Sequence, residues 1–266
     1  MNVLLDPSAR PVIGHRGNRA HAPENTIESF AQAVSLGADA IEFDVRLSAD
    51  GIPVVHHDAT VNRTTDGTGE VGRMNYVELR GLDAGANFTK DGGKTYPYRG
   101  AGHRIPTFEE VVEAFPSTPM LIEIKDPLSA TGIRQILERH KTEWRCMVDA
   151  YSEIAVRRFE GSGIAYGASK SDVANLMKTV LLGRPVSAMK YKALCVPLSY
   201  YGLPLPVRRF AKVGRKHDCR VHVWTINDTK QAVSLWNDGI NGIISDDPGI
   251  MISARDAMPR TGVLGG

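Results

Sequence analysis

The chain has 266 residues, which is long for an ordinary domain but close to the ~250 residues of a single α/β barrel. Its 32 Lys and Arg balance 30 Asp and Glu, so the composition excludes a bulk electrostatic grip on nucleic acid or an anionic membrane. No apolar run reaches the ~18–20 residues of a membrane span, which predicts no stable membrane insertion.

The cysteines and the first residues predict a compartment. The chain has three cysteines, Cys146, Cys195 and Cys219. Because this number is odd and the cysteines are far apart in the sequence, they argue against a disulfide framework and against structural zinc. The N-terminal stretch MNVLLDPSARPVIG has no basic region before its short apolar run, so it does not resemble a signal peptide. We therefore expect a cytoplasmic protein; nothing in the sequence indicates its oligomeric state.

Strand-like and helix-like segments alternate along almost the whole chain. Eight main strands are predicted at 11–14, 39–45, 120–124, 146–149, 164–167, 193–197, 220–224 and 242–245. Helices are predicted at 25–36, 107–115, 129–140, 152–160, 171–182, 207–217, 229–238 and 249–257. Eight strand–helix units predict an α/β fold, a (β/α)₈ TIM barrel, with a doubly wound sheet as the alternative.

The first helix carries a start signal in the sequence PENT. Asn25 is the expected N-cap, with Glu28 three residues later in a capping-box arrangement and Pro23 stiffening the entry. Glu24 is expected to face the pocket and to support a metal or an imidazole. The apolar stripe of this helix is expected to consist of Ile27, Phe30, Ala31 and Val34.

The segment after the second strand breaks this rhythm. A short strand is predicted at 53–56, and residues 58–106 read as a loop-rich insertion with several Gly-rich stretches. We predict a single domain over residues 1–266 with this insertion at about 58–106. On the carboxyl face of a barrel such an insertion usually shapes the substrate mouth.

Two carboxylates lie on one face of the second strand. Because side chains alternate, Glu42 and Asp44 point the same way, roughly 6–7 Å apart along the strand. Paired carboxylates resist burial unless a positive charge lies between them, and a divalent metal is the simplest candidate. A solvent-facing edge strand is the alternative explanation of such a pair.

The carboxyl ends of barrel strands are where catalytic residues are expected. Together with Glu123, the carboxylates Glu42 and Asp44 predict an oxygen-lined site for one hard divalent cation, Mg²⁺ or Ca²⁺. Arg16 and Lys125 are the candidate donors to a phosphate. The polar residues at the predicted strand ends are His15, Arg16, Glu42, Asp44, His57, Asp58, Glu123, Lys125, Asn227, Ser245, Asp246 and Asp247.

Two histidines at different strand ends complete the set. His15 and His57 could supply the base and the acid that cleavage of a phosphodiester needs. Trp224 is expected to form a wall of the substrate site. Taken singly, each of these residues also has a structural explanation, such as a buried core histidine or a same-face ion pair.

Together these residues resemble the glycerophosphodiester phosphodiesterase family. The motifs that carry the resemblance span residues 13–248 and are HRG at 15–17, PENT at 23–26, EFD at 42–44, PVVHHD at 53–58, NRTTDGTG at 62–69, IPTFEE at 105–110, EIK at 123–125, WTIN at 224–227 and GIISDDP at 242–248. HRG, PENT, EFD and HD in that order and spacing are strongly specific.

The resemblance implies hydrolysis of a small glycerophosphodiester to glycerol 3-phosphate and an alcohol such as choline or ethanolamine. It implies that His15 and His57 are the acid–base pair, that Glu42, Asp44 and Glu123 are metal ligands, and that Arg16 and Lys125 contact the phosphate. Two alternatives are a phospholipase D-like enzyme acting on lysophospholipids, which needs an apolar groove, and a non-catalytic phosphodiester-binding barrel.

Overall fold

The computed structural model describes residues 2–259, so the first residue and the last seven of the predicted domain lie outside the described part. Its strands are β1 (Val12–His15), β2 (Ala40–Leu47), β3 (Pro53–Val55), β4 (Met120–Ile124), β5 (Cys146–Asp149), β6 (Ala165–Tyr166), β7 (Ala193–Pro197), β8 (Ser199–Tyr200), β9 (Leu203–Pro204), β10 (Arg220–Trp224) and β11 (Gly242–Ser245). Eight of these strands lie side by side and parallel, in the order β6-β5-β4-β2-β1-β11-β10-β7.

A parallel bridge between Gly167 and Ala193 joins the two ends of this order. Across it, the backbone N–H of Ala168 donates to the Ala193 carbonyl at 2.9 Å, and the N–H of Lys192 donates to the Tyr166 carbonyl at 2.8 Å. The sheet is therefore a barrel, as predicted, and the doubly wound alternative is wrong.

Helices cover the outside of the barrel. They are α1 (Ile27–Ser35), α2 (Tyr76–Gly81), α3 (Phe108–Ala114), α4 (Ala130–Arg139), α5 (Glu153–Arg157), α6 (Lys170–Leu181), α7 (Val207–Lys216), α8 (Thr229–Asn237) and α9 (Pro248–Asp256). All but α2 follow a barrel strand, which gives the eight predicted strand–helix units. None of the helices within residues 2–259 is both long and apolar enough to cross a bilayer.

Strand alternation divides the apolar residues into two layers. On β2, Ile41, Phe43 and Val45 face outward into the core between strands and helices. The barrel interior has a smaller core, with Ile13, Leu121 and other strand residues packed around Leu4. Leu4 comes from a 3₁₀ turn, Val3–Leu5, so the N-terminal segment closes the end of the barrel opposite the strand carboxyl termini.

The start of α1 differs from the prediction. Thr26 is the N-cap, and its hydroxyl accepts a hydrogen bond from the N–H of Ser29 at 3.2 Å. Asn25 lies one residue earlier at φ +59°, and its amide binds Asp44 instead of the helix. The predicted stripe is also partly wrong: Ile27 and Ala31 are exposed, and the buried face consists of Ser29, Phe30 and Ala33.

The segment between β3 and α3 has more structure than its sequence suggested. It contains a 3₁₀ turn, Val71–Arg73, and the helix α2. A separate small core holds it together, formed by Val54, Val61, Val71, Leu79, Ala84 and Ile105. Residues 199–204 form a short hairpin, β8–β9, that the sequence analysis did not predict.

His222 should make stability depend on pH. It is fully buried inside the barrel, where Nε2 lies 2.9 Å from the Leu4 carbonyl, and burial lowers its pKa from 6.5 to about 4. Between pH 6.5 and about pH 4, His222 is therefore protonated in the unfolded chain but neutral in the folded chain. The free energy of unfolding is therefore unaffected by this group above pH 6.5. It decreases as the pH falls towards 4, by up to about 3 kcal/mol.

The measurement is the free energy of unfolding by urea at pH 7 and at pH 4.5, for the native chain and for His222→Gln. The glutamine amide can still donate to Leu4 but cannot titrate. We expect the variant to lose less stability than the native chain on acidification. Equal losses in the two proteins would contradict the assignment.

Candidate active site

The carboxyl ends of the barrel strands surround a cavity of about 290 Å³. Seven of the predicted site residues line it, namely His15, Arg16, Glu42, His57, Glu123, Lys125 and Trp224. Arg19, Asp149, Tyr151 and Cys195 line it as well, and sequence reasoning had not placed them there. Asp44 lies just behind the cavity wall and is 1% exposed.

The three predicted metal ligands form one cluster. Glu42, Asp44 and Glu123 each offer a carboxylate oxygen, and these oxygens lie within 4.8 Å of one another. The register explains this, because Asp44 on β2 is the direct neighbour of Glu123 on β4. Alternation along β2 then places Glu42 on the same inner face, two residues away.

Burial and mutual repulsion make it unfavourable for all three carboxyl groups to be ionised together. Burial, and then the charges of Asp44 and Glu123, raise the pKa of Glu42 well above its usual range. Burial also raises the pKa of Glu123. For Asp44 burial acts in the same direction, but Lys125 and Arg16 outweigh it and the net pKa is lowered.

These residues fit a hard divalent cation. The Oδ1 atom of Asp44 is buried and forms no hydrogen bond of regular geometry among the described residues; the Lys125 ammonium at 3.1 Å is its one ionic neighbour there, so a lone pair is left for another ligand. The three side chains supply oxygen ligands only, which is the donor set that Mg²⁺ and Ca²⁺ prefer. A positive ion would also oppose the burial and the repulsion that together raise the pKa of Glu42.

Two cationic side chains border the cluster. The Nε atom of Arg16 lies 3.1 Å from Asp44 Oδ2, and its backbone N–H donates to Glu42 Oε2 at 2.9 Å. The Nζ atom of Lys125 lies 2.6 Å from Glu123 Oε1 and 3.1 Å from Asp44 Oδ1. Both cations also line the cavity, so an anion bound there would meet a guanidinium and an ammonium.

Each histidine of the site is held by a carboxylate. His15 Nδ1 lies 2.6 Å from Asp246 Oδ1, and His57 Nδ1 lies 2.6 Å from Asp58 Oδ1. Contact through Nδ1 leaves Nε2 of each ring as the nitrogen available for proton transfer. Burial is the main cause that lowers the pKa of both histidines, and it outweighs the neighbouring carboxylates.

Glu24 does not have the position expected from the sequence. It lies outside the carboxylate cluster and instead binds Arg16 Nη1 at 2.7 Å and Arg63 Nη2 at 2.7 Å. Arg19 Nη2 approaches the same carboxylate at 3.3 Å. Glu24 therefore fixes the guanidinium of Arg16 and supports neither the metal ligands nor an imidazole.

Some supporting residues were missed because their partners are distant in sequence. The amide of Asn25 donates to Asp44 Oδ2 at 2.9 Å, across 19 residues. Asp246 was noted as a strand end but without its partner His15, which is 231 residues away. Asp149 could have been found, because it ends β5 just as other site residues end their strands.

Comparison with known proteins gives a consistent result. The model of the glycerophosphoryl diester phosphodiesterase family matches residues 15–250. A glycerophosphodiester phosphodiesterase of Caldanaerobacter subterraneus subsp. tengcongensis is 32% identical over 249 residues, covering 91% of this chain and 96% of the relative. A putative glycerophosphodiester phosphodiesterase of Bacillus subtilis is 32% identical over 252 residues, covering 91% and 96%.

Solved structures agree with the sequence relatives. A phosphodiesterase of Oleispira antarctica, solved in complex with the product sn-glycerol-3-phosphate, is 28% identical with a TM-score of 0.76, and the match covers 93% of this chain and 97% of that one. A domain from Mycobacterium tuberculosis has a TM-score of 0.80 at 21% identity, covering 94% and 100%, and supports the fold.

Proposed function

The chain belongs to the glycerophosphoryl diester phosphodiesterase family, and on that premise we propose that it hydrolyses glycerophosphodiesters to glycerol 3-phosphate and an alcohol, using one divalent cation and two histidines. The observation that carries the proposal is one cavity lined by two of the three clustered carboxylates, with Asp44 just behind its wall, and by two cations and two carboxylate-held imidazoles. Hydrolysis of a phosphodiester can use all three kinds of group, because charge on the phosphate must be stabilised and protons must be moved to and from its oxygens.

Arg16 and Lys125 are the proposed phosphate contacts. The guanidinium of Arg16 is held by Glu24 and Asp44, so its position is set before substrate binds. A preorganised donor stabilises charge in the transition state without the cost of reorienting. Lys125 adds a point charge from the carboxyl end of β4, since it follows directly after Ile124.

His15 and His57 are the proposed proton carriers. Each ring has a carboxylate at Nδ1, which fixes the tautomer and leaves Nε2 to exchange a proton with the substrate. One histidine accepts the proton of the attacking oxygen, and the other donates a proton to the departing alkoxide. The negative phosphate between them favours the protonated form of the acid.

Glu42, Asp44 and Glu123 would hold the cation. When bound there, a divalent cation supplies Lewis-acid stabilisation of charge on the nonbridging phosphate oxygens. We propose Mg²⁺ or Ca²⁺, because the ligands are carboxylate oxygens only. Trp224, at the end of β10, forms part of the wall against the organic portion of the substrate.

The cavity volume bears on the lysophospholipid alternative. About 290 Å³ is at the lower end of the ~300–1,000 Å³ usual for ligand sites, and it suits a small diester. A long acyl chain would have to leave through the mouth. The size of the cavity therefore favours the water-soluble glycerophosphodiester.

The proposal predicts release of glycerol 3-phosphate in a coupled assay. We expect turnover of glycerophosphocholine, glycerophosphoethanolamine and glycerophosphoglycerol with Mg²⁺ or Ca²⁺ present, and slower turnover of lysophosphatidylcholine. A preference for the lysolipid would favour the alternative enzyme. Binding of the diesters with no product under any divalent ion would favour a non-catalytic barrel.

A further inference from the structure

The cavity has two chemically different halves. Around the barrel, β1, β2 and β4 supply the histidine, arginine and carboxylates of the proposed phosphate and cation site. The strands β5, β7 and β10 supply the opposite part of the wall, with Asp149, Cys195 and Trp224. Asp149 is the carboxyl group in this second half, and the proposed reaction does not use it.

No side chain within residues 2–259 pairs with the carboxyl group of Asp149. Its Oδ1 atom is buried and has no hydrogen-bond partner among these residues, although the backbone N–H of the adjacent Ala150 stabilises the carboxylate form. Lys125, the cation on the neighbouring strand, is held by Glu123 and Asp44 instead. A buried polar group without a partner is destabilising, so this position favours a ligand that can pair with it.

The backbone around Asp149 makes room for this arrangement. A Cβ atom at Gly167, on the next strand round the barrel, would lie 2.1 Å from Asp149 Oδ1. Any other residue at 167 would therefore displace the carboxyl group. The oxygen packed over Gly167 is the same one that lacks a hydrogen-bond partner, and the side chain lines the cavity, so a hydroxyl donor bound beside Asp149 would give the carboxyl a partner that the described residues do not supply.

We propose that Asp149 binds a hydroxyl group of the glycerol moiety of the substrate and so selects glycerol-containing diesters. The inference rests on the proposed function, in which glycerol is the half common to every substrate. A glycerol hydroxyl is small and uncharged, and it can both donate to and accept from a carboxyl group. Tyr151, half exposed at the mouth two residues further on, adds a second polar group on the same side.

The test compares two diesters that differ in the glycerol half, glycerophosphocholine and 4-nitrophenyl phosphocholine. We expect Asp149→Ala to lower kcat/KM for glycerophosphocholine about 10- to 100-fold, the range for one lost hydrogen bond to a charged or buried group. Turnover of the nitrophenyl diester should change little. Asp149→Asn, which can still hydrogen-bond, should retain most of the activity on both.

Gly167→Ala provides an independent variant. With Asp149 present, it should give the same selective loss, because the new methyl group displaces the carboxyl. In the Asp149→Ala background it should add little, since the two substitutions act on one contact. Thermal unfolding of each variant checks that the barrel is intact.

Three results would overturn the proposal. Equal losses on both diesters in Asp149→Ala, with activity retained in Asp149→Asn, would make Asp149 a support of the phosphate site. Equal losses on both diesters in Asp149→Ala and in Asp149→Asn would indicate recognition of the ammonium group. A loss with glycerophosphoglycerol but not with glycerophosphocholine would indicate recognition of the alcohol half.

A binding measurement separates this proposal from the proposed function. By calorimetry, glycerol 3-phosphate should bind more tightly than methyl phosphate, and Asp149→Ala should remove most of that difference. This comparison needs no turnover. If the native chain hydrolyses no diester but shows the binding difference, the proposed function fails and the Asp149 subsite stands.

Discussion

Replacement of His15 or His57 by alanine should lower turnover of a glycerophosphodiester by roughly 10²–10⁴-fold while the fold remains intact. Each ring lines the cavity and is oriented through Nδ1 by a carboxylate at 2.6 Å, so its Nε2 is placed for proton transfer. The measurement is steady-state turnover, with circular dichroism and thermal unfolding to confirm the fold. Near-normal kinetics in either variant would remove that histidine from the mechanism.

His21 offers a matched control. It is also paired with an aspartate, since Nε2 lies 2.9 Å from Asp247 Oδ2, but it does not line the cavity. His21→Ala removes an imidazole with a similar partner from the neighbourhood of the site. We expect its turnover to stay within a few-fold of the native value.

The leaving group distinguishes the acid from the base. A 4-nitrophenyl ester of glycerol phosphate releases a much weaker base than an alkoxide, so its departure needs little help from an acid. The variant that lacks the general acid should therefore recover most of its activity on this ester. The variant that lacks the general base should remain slow on both substrates.

The barrel itself could be predicted from local patterns. The strands β4, β5, β7, β10 and β11 begin and end where the sequence analysis placed them, because each is a short apolar run between turn residues. The inward direction of Glu42 and Asp44 followed from the period of two along one strand. Such features need only neighbouring residues, so a single sequence contains them.

Contacts between distant segments could not be predicted in this way. Asn25 satisfies the local rule for an N-cap, yet its amide binds Asp44 on β2 and Thr26 caps the helix. Glu24 was expected near the site, and it does lie close to it. Its carboxylate, however, is paired with three arginines from two segments of the chain, Arg16, Arg19 and Arg63. For Asn25 the tertiary partner outweighs a local N-cap preference of about 1 kcal/mol.

Neutralising the carboxylate cluster should have an effect as large as that of the histidines. Glu42→Gln, Asp44→Asn and Glu123→Gln each remove one of three oxygen ligands that lie within 4.8 Å of one another. Each amide also leaves Arg16 and Lys125 with fewer anionic partners. We expect cation binding measured by calorimetry to be lost or weakened at least tenfold, and turnover to fall with it.

A surface cluster supplies the control for these variants. Glu109, Glu113 and His140 also bring possible ligands within 4.8 Å of one another, but they lie on α3 and at the end of α4, away from the cavity. Glu109→Gln should change neither turnover nor its dependence on added cation. If it abolishes cation-dependent turnover, the ion that matters is bound there and not at Glu42.

Removal and return of the cation give the second part of this test. Exhaustive treatment with a chelator should abolish turnover, and Mg²⁺ or Ca²⁺ should restore it. The affinity should depend on pH because Glu42, whose pKa is raised, must lose its proton before it can bind the ion. Affinity should therefore rise as the pH increases, and any affinity that remains in Glu42→Gln should depend less on pH. Full activity in the stripped protein would show that the three carboxylates serve another purpose.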